Sequence, residues 1–120
     1  MTSVRLEPAD LARRIIDLFS ERQAGDVVLL DLRQVASFTD YFIIASGQNL
    51  RHIRALQDAV DVDLAKEGIK ALHTEGTIES GWLLIDFGDV IVHIFSPEER
   101  AYYNLEALWG RPGVPAVRFQ

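Results

Sequence analysis

Cysteine is missing from all 120 residues, so neither a disulfide framework nor a thiolate zinc site is available. Lysine is scarce, with Lys66 and Lys70 the only two. Eighteen acidic residues outnumber twelve basic ones, for a formal net charge of -6. That balance speaks against an independent, salt-driven or sequence-specific grip on nucleic acid. It leaves open docking on a basic protein within a nucleoprotein particle. Charged residues interrupt every hydrophobic stretch, and the opening MTSVRLEPADLARRI lacks the apolar core of a signal peptide. A cytoplasmic protein without a membrane span is the expectation. Internal repeats and low-complexity tracts are also lacking. The length fits a single domain over residues 1–110, and the Gly- and Pro-rich GRPGVPAVRFQ that closes the chain reads as an irregular tail over 111–120.

The apolar spacing of Leu11, Ile15, Leu18 and Phe19 predicts a helix from about Pro8 to Arg22. Two nearly unbroken apolar runs, Val27–Leu32 and Tyr41–Ser46, read as strands covered on both faces. Leu50, Ile53, Leu56, Val60 and Leu64 then line one stripe of a long helix, with Asn49 as its N-cap and Gly68 as its stop. A strand over Ile69–Gly76 and a hairpin over Gly81–Phe95 follow. In SPEER, Ser96, Pro97 and Glu99 have the pattern of a capping box that opens a final helix, whose apolar side is Tyr102, Leu105, Leu108 and Trp109. One of Tyr102 and Tyr103 is expected inward and the other outward. This order of elements describes a layered α/β or α+β domain with a mixed sheet packed by helices.

The hairpin contains Asp86-Phe87-Gly88, letters that hold a metal-bound nucleotide in protein kinases, but the chain is far too short for a two-lobed kinase. If Gly88-Asp89 is a two-residue type II′ loop, Leu83, Ile85, Phe87, Val90, Val92 and Ile94 share one apolar face. The other face carries Trp82, Leu84, Asp86, Ile91, His93 and Phe95. Three readings compete for Asp86, Asp89 and His93. They are turn and sheet residues with no further role, parts of a binding face centred on Trp82, or a two-carboxylate metal or phosphoryl site. The last needs a phosphate-cradling loop, and SGQNLRH is not one. Glu75 precedes a turn that brings it toward the Trp82 patch. Ser46 with His52 or His73 lacks the setting of a hydrolase nucleophile.

Three blocks, DLRQVASFTDYFIIASGQNLRHIRAL, TEGTIESGWLLIDFGDVIVHIF and ERAYYNLEALWG, stand in order and, together with the linking helix, cover roughly Asp10 to Gly110. In them the chain closely resembles the ribosomal silencing factor family, RsfS, also called Iojap-like or YbeB. The resemblance implies a nucleotidyltransferase-like topology without catalytic residues, cofactor or metal. It implies binding to the large ribosomal subunit through its ribosomal protein fourteen, which blocks joining of the small subunit when nutrients are scarce; an organellar branch assists large-subunit assembly. It also implies self-association as a homodimer. Carried onto this sequence, the partner-facing residues are Trp82 and Leu83, with Asp89, Ile91 and His93 of FGDVIVH nearby. Leu84, Asp86 and Glu75 complete the expected partner-binding set. Leu83 is the point of tension, because the hairpin phase directs it into the core.

Overall fold

The computed structural model describes residues 6–119; the first five residues of the expected domain and the last of the expected tail, Gln120, lie outside the described residues. Helix α1 (Pro8–Glu21) starts with proline at its first position. Strands β1 (Gly25–Asp31) and β2 (Tyr41–Ser46) follow. Helix α2 (Leu50–Asp58) is capped by the Asn49 side chain, which accepts the His52 backbone N–H at 2.9 Å. It continues through one wide π-turn, Ala59–Asp63, into the short α3 (Leu64–Lys66). Arg14 pairs with Glu67 and Arg22 with Asp63, tying α1 to this second helical unit.

Next come β3 (His73–Thr77), β4 (Trp82–Asp86) and β5 (Val90–Phe95). Among the described residues six strands form one sheet in the order β3-β4-β5-β2-β1-β6. Only β2 and β5 run parallel; every other neighbouring pair is antiparallel, so the sheet is mixed as expected. The sixth strand, β6 (Ala116–Phe119), corrects the reading of residues 111–120 as irregular. Gly and Pro are confined to its approach, and Ala116–Phe119 pairs along the otherwise open edge of β1. The third strand also sits further along than Ile69–Gly76, because Ile69–Leu72 carries the chain from α3 up to the sheet.

The hairpin phase follows the two-residue loop. Leu83 pairs with Ile94 and Ile85 with Val92, and the Phe87 N–H reaches the Val90 carbonyl at 2.9 Å. Gly88 supplies the positive φ of 93° that the first position of a type II′ turn requires. One sheet face, with Ile43, Leu83, Ile85, Val92 and Ile94, packs against α1 and the α2–α3 unit to make the main core. The opposite face makes a second, smaller core from Leu30, Phe42, Ile44, Ile91 and Phe95 under Leu105 and Trp109.

The final helix is two pieces. Ser96 caps α4 (Pro97–Tyr103) by accepting the Glu99 N–H at 3.2 Å, while the Ser96 N–H donates to the Gly81 carbonyl. Asn104 then turns left-handed, with φ of 48°, before α5 (Leu105–Leu108). The break redirects the chain. Leu105 stays buried and Trp109 half-buried, but Tyr102 and Leu108 point to solvent, against the single apolar stripe expected.

Gly76 shows how tightly β3 is held to β4. Its φ is 85°, and a β-carbon there would lie 2.1 Å from the Trp82 carbonyl oxygen. Gly76→Ala therefore meets both a backbone penalty and a clash with main chain. Urea unfolding is expected to show a loss of about 3 kcal/mol.

Candidate binding site: the Trp82 cleft

Trp82 opens β4, where it pairs with Thr77 on one side and Phe95 on the other. Its indole is half-buried on the face of the second core, stacked on Phe95 at 5.1 Å and meeting the Tyr103 ring at 4.4 Å. The indole N–H donates to Nδ1 of His93 at 3.1 Å. His93 is itself buried, with the Phe42 ring edge-on at 4.6 Å. Because Nδ1 accepts, a neutral imidazole must carry its proton on Nε2, and that nitrogen is buried without a partner among the described residues. Burial among aromatic rings disfavours the charged form and pushes the His93 pKa down to about 4. His93 thus serves as the support of the tryptophan rather than as a surface group.

The other expected site residues divide by the same alternation. Leu83 faces the main core and is 1% exposed, which takes its side chain out of the partner-facing set. Ile91 is also buried, in the second core. Leu84 is half-buried and stands beside Trp82. The Asp86 carboxylate accepts the Gly88 N–H at 2.6 Å, so it braces the hairpin turn. Asp89 is exposed, and its carbonyl accepts the N–H groups of Asp40 and Tyr41. Glu75 is exposed on β3, with its carboxylate 2.7 Å from Nε2 of His73. Among the described residues no three or more His, Asp or Glu side chains converge in the way a metal ion requires. Ser46, His52 and His73 are not brought together either. Ser46 Oγ accepts from the buried Arg100, and the His52 ring accepts the Gln48 N–H and bonds the Arg22 carbonyl, while His73 lies on the far edge strand.

What the fold does assemble is a cleft of about 230 Å³ lined by Glu75, Gly76, Ser80, Trp82, Leu84 and Tyr103. Tyr103 is the residue that sequence reasoning missed. Both tyrosines are exposed, against the expected division of one inward and one outward: Tyr102 is 79% exposed, and Tyr103, 45% exposed, leans on Trp82 to wall the cleft. The left-handed Asn104 ends α4 at this point, and a left-handed tendency of asparagine was the available signal.

The fold is a small α+β domain with a mixed sheet and an aromatic cleft edged by Glu75. Residues 5–118 match the family model described as ribosomal silencing factor during starvation. The ribosomal silencing factor RsfS of Bacillus subtilis is 38% identical over 90 residues, covering 75% of this chain and 76% of its own. A mouse protein named mitochondrial assembly of ribosomal large subunit protein 1 is 32% identical over 100 residues, covering 79% of this chain and 43% of its own. A crystal structure of a Chromobacterium violaceum protein superposes with a TM-score of 0.82 at 33% identity, covering 90% of this chain and 92% of that one. The chain belongs to the ribosomal silencing factor family.

The buried His93 gives stability a pH signature. An unfolded histidine takes up its proton near pH 6.5, whereas the folded His93 refuses it until about pH 4. The unfolded state therefore binds more protons in that window. Stability is full above it and declines as pH falls through it. Between about pH 7.5 and about pH 5, wild type should lose about 2 kcal/mol more than His93→Phe, measured by urea unfolding of both proteins at each pH.

Proposed function

We propose that this chain is a non-enzymatic silencing factor that docks on the large ribosomal subunit through ribosomal protein fourteen and sterically blocks joining of the small subunit, repressing translation under nutrient limitation. Family membership supports the ribosomal role. The observation that carries the mode of docking is the Trp82 cleft, in which a half-buried indole held by His93 stands beside solvent-facing Tyr103 and Glu75. A rigid aromatic with one edge in solvent is the kind of anchor on which interfaces concentrate their binding energy. The net charge of -6 favours encounter with a basic ribosomal protein, and apolar contact then holds the complex. Self-association through the same face would compete with docking.

The mouse relative's name favours a second reading, assistance in large-subunit assembly. Subunit joining followed by light scattering separates the two. Silencing predicts that joining falls as the protein saturates free large subunits; unchanged joining with binding intact supports the assembly role instead.

Trp82→Ala is expected to weaken binding to isolated ribosomal protein fourteen roughly thirtyfold, about 2 kcal/mol, in calorimetric titration. Leu83→Ala should behave in the opposite way. Its cost falls on the core, about 2 to 5 kcal/mol of stability, and the folded fraction should keep wild-type affinity. Equal loss of affinity in both variants, with both folded, would reject the division of the hairpin into a core face and a docking face.

A further inference from the structure

We propose that the Trp82 cleft receives one cationic side chain, an arginine or a lysine, from the protein on which this chain docks. The inference rests on the docking reading above only for the identity of that protein. Trp82, Leu84 and Tyr103 make an apolar wall whose two aromatic rings lie 4.4 Å apart, centroid to centroid. Opposite them the backbone of β3 is bare at Gly76, where any β-carbon would meet the Trp82 carbonyl. The space of about 230 Å³ is sized for a single side chain rather than a helix or a strand.

Charge then selects which side chain. Of the six lining residues only Glu75 is ionisable at neutral pH, and no lysine or arginine is among them. Among the described residues its carboxylate pairs with the exposed His73, on the same strand. Two further carboxylates lie on neighbouring chain: Glu79, exposed in the turn after β3, directly precedes Ser80, and the Glu99 side chain packs beside Gly81. Ser80 offers little, because its hydroxyl is already committed to the Thr77 and Trp82 backbone. An inserted apolar residue would strip water from Glu75 and return nothing. An anion would meet the carboxylate and the negative faces of the rings. A guanidinium or ammonium satisfies both, by ion pairing with Glu75 and by cation–π attraction to the wall, while its methylene stem covers Leu84.

The test uses the full chain, isotopically labelled, and two short capped peptides that differ only in a central arginine or its neutral isostere citrulline. Nuclear magnetic resonance titration should shift the Trp82 indole N–H and the Gly76 and Leu84 amides with the arginine peptide. The citrulline peptide should bind at least about fivefold more weakly. Glu75→Gln, a change at an exposed position, should remove most of that preference, and Tyr103→Ala should weaken both peptides. Equal responses to the two peptides, or a preference untouched by Glu75→Gln, would overturn the assignment. The same Glu75→Gln variant should bind ribosomal protein fourteen about fivefold less tightly. If the arginine peptide occupies the cleft and ribosomal protein fourteen fails to bind, the docking partner is wrong and the cleft assignment stands. If that protein binds and neither the peptide charge nor Glu75 matters, the cleft assignment alone falls.

Discussion

The structure depends on a sheet whose middle is apolar on both sides. Every residue of β2 and of β5 is buried, so these parallel neighbours are stable only if each face of the sheet is covered. One face has an ample cover in α1 and the α2–α3 unit, clamped together by Arg14–Glu67 and Arg22–Asp63. Among the described residues the other is covered by the short α4 and α5, the loop before β2 and the approach to β6. Aromatic rings make up the shortfall. Phe38, Phe42, Trp109, His93, Trp82, Phe95 and Tyr103 form a connected chain of ring contacts across that face. The candidate site is the point where this thin cover ends and the last rings meet solvent.

That origin links stability and the candidate site in one residue. Trp82 is at once a lid on Phe95, the hydrogen-bond partner of an otherwise orphaned histidine and the wall of the cleft. His93 tolerates a partnerless Nε2 in an apolar setting, a cost of the kind that interiors normally avoid. Its Nδ1 holds the indole in one orientation in return, which would lower the entropy to be removed if a partner docks there.

Much of this was legible in the sequence, and the gaps have physical causes. The Gly88-Asp89 turn set the phase of both hairpin strands, because a two-residue loop leaves no freedom over which side chains share a face. The same phase put Leu83 inside, where a carry-over by resemblance had put it outside. The alternation of β4 and β5 placed Trp82, Leu84 and His93 together, but it gave no sign that the imidazole would be buried, since cover on that face comes from distant segments. Strand β6 escaped notice because an edge strand of four residues behind a run of Gly and Pro has too little pattern to stand out. Tyr103 escaped because helical periodicity assumes an unbroken helix, and Asn104 breaks it.

The aromatic cover also decides what light can report about this molecule. The chain has two tryptophans, and Trp82 and Trp109 both belong to the smaller core, on the face away from α1 and α2. Each is half-buried, and the chain of rings between them runs through Phe42 and His93. Intrinsic tryptophan emission is therefore a local gauge of that face. Fraying of the helical layer on the opposite side would leave it nearly unchanged, and agreement between emission and far-ultraviolet dichroism becomes a direct measure of whether the two layers come apart together.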